Sequence, residues 1–172
     1  MRQKEGEIFA FKQVSSDSQP PSGKEPTGNG IVEKYQDKFN AWLREHGVIK
    51  SGQVVNLNPE PFFHRYPNGC KSDASYYFDA RVNNHHVFLS ELQGRTTAHS
   101  HPPPTSELYI LLEGEAKVTI DETICYLSSQ NPTLTILSGQ EHQVIAEGQR
   151  AVLLIIMTNP SPQRENLHCF RD

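Results

Sequence analysis

At 172 residues the chain is long enough for one domain with a sizeable core and too short for two. Its 16 Lys and Arg against 20 Asp and Glu leave a net charge of −4, and no basic run stands out, so nucleic acid is not an expected partner. The longest apolar run, Ala151–Met157, is strand length and far short of the roughly 18 residues of a membrane span, so no membrane partner is expected either.

The first residues, MRQKEGEIFAFKQ, mix charge with short apolar pieces and lack a signal-peptide core. Cys70, Cys125 and Cys169 are scattered, odd in number and without C-x-x-C spacing, which suits reduced thiols. Both features place the protein in the cytoplasm as an expectation. Glu7–Val14 reads as a short strand. Ser15–Gly30 is rich in Ser, Pro and Gly and reads as a linker, so residues 1–30 form an N-terminal arm.

Residues 31–47 read as an amphipathic helix. Ile31, Tyr35, Phe39, Trp42 and Leu43 make an apolar stripe at helical spacing, and Gly47 suits the C-cap. The stripe implies that this helix flanks the main body.

From Gln53 onward the pattern changes to short β-rich runs separated by turn residues. SYYFDARV, the turn Asn83–Asn84 and HHVFLSEL come first, then a turn at Gly94 and TTAHSH. After the prolines come ELYILL, a turn at Gly114, AKVTI, a turn at Asp121–Glu122, TICYLS and TLTIL. A turn at Gly139, HQVIA, a turn at Gly148 and AVLLIIM complete the run. Many short strands predict an all-β sandwich or barrel over 53–160, followed by a polar tail over 161–172.

The chemistry gathers around HSHPPPTSE. Side chains alternate along a strand, so Thr97, His99 and His101 share a face, and two imidazoles two residues apart can bind one cation. Pro102, Pro103 and Pro104 cannot continue a central ladder, so the chain must leave it. Glu107 opens the next strand with Tyr109 and Leu111 on its face. If that strand folds back beside the first, its carboxylate meets the two histidines. His142, just after the Ser138–Gly139 turn, is the candidate fourth ligand. Three imidazoles and one carboxylate suit one divalent transition metal: Fe, Mn, Ni, Co or Zn.

The order Gly94, His99-Ser100-His101, Glu107, Gly114 resembles the first cupin motif, and Gly139 with His142 resembles the second. In the second motif Asn131, Leu137 and Ala146 stand at turn and wall positions where that family has other residues. The resemblance implies a small double-stranded β-helix (jelly-roll) barrel with a metal held by His99, His101, Glu107 and His142. It implies chemistry on a small oxygen-rich molecule, a sugar derivative or carboxylic acid, by oxygenation or by isomerase or lyase reaction. The same fold also serves non-catalytic binding and sensor proteins. Pairing through sheet edges and N-terminal strands, common in such barrels, implies a homodimer.

Because Glu107 is committed as a ligand, an acid or base must come from elsewhere, and Tyr109 and His64 are the candidates. Arg95 would share the face of His99 and His101 if its strand stays regular, and a guanidinium there could hold a substrate carboxylate or phosphate. His85 and His86 read as residues flanking a turn rather than ligands.

Overall fold

A computed structural model describes residues 28–63 and 72–160, with the backbone of 168–169. His64, the expected strand at Glu7–Val14 and nearly all of the linker lie outside the described residues. The helix, α1, spans Gly28–Glu45 and so starts three residues before the expected 31. It ends as its sequence requires. Gly47 takes φ +68°, and the Val48 amide turns back to the Leu43 carbonyl at 2.8 Å. Ile31, Tyr35, Phe39 and Leu43 are buried, each contributing on the order of 2 kcal/mol through lost apolar exposure. Two polar residues on the helix also hold the chain beyond it. Asn40 exchanges hydrogen bonds with both backbone groups of Val55, and Gln36 accepts from the Leu57 amide.

Among the described residues eight antiparallel strands follow: β1 (Ser72–Val82), β2 (His85–Thr96), β3 (His99–Ser100), β4 (Ser106–Ile120), β5 (Thr123–Leu127), β6 (Thr133–Ile136), β7 (His142–Thr158) and β8 (His168–Cys169). The expected hairpin turns at Asn83–Asn84 and Asp121–Glu122 are present, with Asn83 and Asp121 at φ near +50°. The turn at Gly139 is present too, at φ +83°. Gly94, Gly114 and Gly148 are not turns. Each lies inside a continuous strand, so pieces that read as separate strands join into the long β2, β4 and β7.

The glycines bend these strands instead of ending them. Gly114 and Gly148 take φ of +80° and +85°, a region where a side chain is strained. Leu111 pairs with Leu153 and Gly114 with Ala151, but the next residue, Glu115, pairs with Glu147, so residues 148–150 bulge out of the ladder. A Cβ on Gly114 would lie 2.2 Å from the Arg150 carbonyl oxygen. At Gly94 the close neighbour is the Asp73 carboxylate, with Oδ2 2.4 Å from where a Cβ would stand. Two further expectations change. TTAHSH is not one strand, because β2 ends at Thr96 and β3 holds only His99 and Ser100. Residues 168–169, read as tail, pair by their backbone with β3.

The bend folds the β4–β7 ribbon onto itself and creates two cores. Inside the barrel, Leu111, Val118, Leu127, Ile136, Val144 and Leu153 pack with Tyr76, Leu92 and Tyr109. On the outer face, Val87, Leu89, Val152, Leu154 and Ile156 pack against the stripe of α1. Tyr76 and Tyr77, adjacent in β1, serve one core each.

Glu113 fastens the helix to the ribbon from the rim of the outer core. It accepts from Lys34 and Arg150, both at 2.6 Å, and from the Tyr35 hydroxyl at 2.9 Å. Arg150 also reaches the buried Glu91, at 3.4 Å. The Lys34 ammonium is the largest cause of the Glu113 carboxyl's shift, and with Arg150 it holds that carboxyl down at about 2.

Two outcomes test this frame. Gly114→Val should lower the urea midpoint by an amount worth about 2 kcal/mol or more, because both the backbone angle and the Arg150 carbonyl oppose a side chain. Glu113 is more acidic folded than unfolded, so its stabilisation is complete above the unfolded carboxyl range near 4.5 and is lost as pH falls towards 2. Wild type should therefore be more stable than Glu113→Gln at pH 7, and the two should converge between pH 4.5 and 2 in thermal melts.

Candidate metal centre

Four elements meet at one point inside the barrel. His99 comes from β3 and His101 from the segment that leaves it before the prolines, while Glu107 is the second residue of β4 and His142 opens β7. His99 pairs directly with His142 across the ladder. Glu107 arrives differently from the expectation that its strand lies beside that of the histidines, because β4 pairs with β5, β6 and β7 and not with β3. On β4, Ile120 is the partner of His142, and Glu107 sits at the other end of the same strand, roughly 40 Å away if the strand were straight. The bend at Gly114 and Gly148 removes that distance. The pairing of Glu107 with Ile136 on β6, followed by the Gly139 turn into His142, closes the circuit. The Gly139 amide donates to the His101 carbonyl at 2.8 Å, tying the turn to the histidine segment.

One potential ligand atom from each of the four residues lies within 4.8 Å of the others. His142, Glu107 and His101 are buried, and His99 is partly open. Glu107 Oε2 lies 2.9 Å from His142 Nε2 and Oε1 lies 3.2 Å from His101 Nε2. Neither nitrogen has the alignment of a hydrogen bond, and both are buried without one. Such orphaned nitrogens converging on a carboxylate are costly unless a cation or proton sits between them. The rings are oriented from behind. His99 Nδ1 faces the Thr97 carbonyl at 2.9 Å and His142 Nδ1 the Gln140 carbonyl at 3.1 Å, which puts the hydrogen on Nδ1 and the lone pair of Nε2 towards the centre. The buried Tyr109 hydroxyl donates to Glu107 Oε2 at 3.1 Å. The set fits a divalent cation of the first transition row.

The groups differ in their hold on protons. Burial, helped by the neighbouring His142, lowers His99 to about 4, so this imidazole is neutral at physiological pH. Burial would raise the Glu107 carboxyl, but His101 and His142 outweigh it and keep the group well below its ordinary range. Burial likewise works to strip the proton from His142, and there the Glu107 carboxylate prevails and raises the imidazole above its usual value.

The other candidates lie apart from this cluster or outside view. Arg95 is exposed on β2, opposite Ile145, with its amide bound to Asp73 at 3.1 Å, and the break after Thr96 removes the regular strand that would have aligned it with the histidines. His64 lies outside the described residues. His86, read as a residue beside a turn, bonds through Nε2 to the Asp79 carboxylate and stacks on Phe88 at 4.5 Å. Alternation along β2 puts His86 and Phe88 on one face. Nothing local announced Asp79, because a register shift between Tyr76 and Phe78 decides which face it joins.

No family model matches the chain, and no curated protein matches it. Solved structures do. A cupin-like protein from Thermotoga maritima superposes with a TM-score of 0.51 at 14% identity, over 64% of this chain and 86% of that one. A cupin 2 conserved barrel domain protein from Rhodopseudomonas palustris gives 0.48 at 14% identity, over 72% and 83%. The chain has the cupin fold, an all-β double-stranded β-helix. Among the described residues no helix is long and apolar enough to cross a membrane.

A cation must displace the proton that His142 holds above its ordinary range. Affinity for zinc or cobalt, measured by competition with a chromophoric chelator, should rise with pH through the raised His142 value and level off above it. Tyr109→Phe removes the donor behind Glu107 and should weaken cation binding roughly tenfold while leaving the fold intact by circular dichroism.

Proposed function

We propose that the protein is a metal-dependent enzyme acting on a small oxygen-rich molecule, a sugar derivative or carboxylic acid. One observation carries this reading: three imidazoles and a carboxylate converge inside the barrel, with two buried imidazole nitrogens left without hydrogen bonds. His99, His101, Glu107 and His142 would hold the ion. A divalent transition ion there supplies Lewis acidity to vicinal oxygens or, if it is iron, oxygen activation.

The chain's own groups supply the rest. Glu107 lends negative charge, and Tyr109 holds one of its oxygens. The walls around the site, Leu111, Ile136, Val144 and Leu153, are apolar and exclude water, which strengthens every electrostatic interaction inside. Partly open His99 marks the side from which a ligand approaches.

Elemental analysis of protein purified without chelator, with His99→Ala processed alongside, tests this. The expected result is near-stoichiometric metal in wild type and its loss in the variant. Iron directs the next assays to oxygen consumption, and manganese, nickel, cobalt or zinc to isomerase and lyase reactions. Absence of metal, with weak binding after reconstitution, would overturn the metalloenzyme and leave a barrel that binds small molecules without turning them over.

A further inference from the structure

Opposite residues on paired antiparallel strands share a face, so the ladder registers show what else looks into the barrel beside Glu107. Glu107 is opposite Met157, Met157 is opposite His86, and His86 is opposite Arg81. In the next inward row, Tyr109 is opposite Ile155, Ile155 is opposite Phe88, and Phe88 is opposite Asp79. Tyr109, Ile155 and Phe88 belong to the core inside the barrel, which confirms the face. His86 therefore lies two strands from Glu107, about 10 Å along the sheet, and looks into the same interior.

Its surroundings are those of a fixed polar group. The Asp79 carboxylate side chain is 1% exposed and pairs with His86 Nε2, while His86 itself is 16% exposed. The imidazole lies nearly parallel to the Phe88 ring, at 8°, which fixes its plane. A buried carboxylate on one ring nitrogen leaves the other, Nδ1, as the one to meet a ligand, in the arrangement by which a carboxylate orients a histidine for hydrogen bonding or proton exchange. Phe88 and Ile155, the residues between this pair and Tyr109, are only partly buried and form an apolar floor.

We propose that the Asp79–His86 pair is the second polar pole of the barrel's binding site. It receives the far hydroxyl or carboxylate of a ligand whose near oxygens sit at His99, His101, Glu107 and His142. This deepens the proposed function and rests on it for the first pole. It sets the ligand class as a molecule with oxygen functions at both ends and a short carbon chain lying over Phe88 and Ile155. His86 is then a binding and positioning residue, held by Asp79 at one ring nitrogen and presenting the other to the ligand.

Glycolate and L-tartrate are suitable probes. Both carry the same hydroxy-carboxylate head, and tartrate adds a second one. With the full chain loaded with zinc, calorimetry should show that His86→Gln weakens tartrate about fivefold or more, while affinities for glycolate and zinc stay within about twofold. Asp79→Asn should weaken tartrate in the same direction, and tartrate but not glycolate should shift the His86 imidazole resonances. Equal tartrate affinity in wild type and His86→Gln would overturn the second pole. If zinc does not bind wild type, the metal reading falls on its own. Tartrate titrated into the metal-free chain then decides the pole, which stands if the His86 resonances move and falls if they do not.

Discussion

The fold depends on a ribbon of two long antiparallel strands, β4 and β7, that turns back on itself where Gly114 meets the bulge at residues 148–150. A β-ladder is locally straight and gently twisted, so its two ends stay far apart unless something breaks the regularity. Here a positive φ at both glycines and three unpaired residues on one strand provide the break. Both inward faces of the ribbon then look at each other, and the apolar residues of each half bury the other. The carboxylate at one end of the ribbon and the imidazole at the other end become neighbours. Without that bend, Glu107 and His142 would share a strand pair and never a site.

The helix serves the same bend from outside. Its stripe covers the outer face of the ribbon and of β1 and β2, and Lys34 and Tyr35 hold Glu113 beside Gly114. Arg150, at the edge of the bulge, grips the other oxygen of Glu113 and reaches the buried Glu91. Charge-assisted contacts thus span the point where the ladder is interrupted and backbone pairing cannot contribute. Helix docking and barrel closure are coupled through one carboxylate.

Among the described residues, ionisable side chains inside the barrel gather at two places in a largely apolar lining. At one, a carboxylate is surrounded by imidazoles; at the other, an imidazole is held by a carboxylate. Each buried carboxylate has an imidazole beside it, the kind of polar partner a low-dielectric interior demands. The two places differ in what they leave available. The cluster turns buried nitrogen lone pairs towards a common centre, whereas the Asp79–His86 pair satisfies one ring nitrogen and has a second to offer.

Much of this was legible in the amino-acid order because it rests on local rules. Alternation put His99 and His101 on one face, the prolines ended that strand, and helical spacing picked out the stripe that α1 buries. Asn83, Asp121 and Gly139 were read correctly as turns, and Gly47 as a helix cap, because each needs only its own backbone angle. Gly94, Gly114 and Gly148 looked the same but were not turns, since a glycine that bends a paired strand differs from one that ends it only in what lies across the ladder. Register is likewise non-local. It alone decided that Glu107 reaches the histidines around the barrel instead of from an adjacent strand, that Arg95 falls out of line with them, and that Asp79 stands behind His86. The sequence by itself determined the kinds of residue and their local periods. Tertiary structure decided which of them meet, because meeting depends on pairing between residues far apart in the chain.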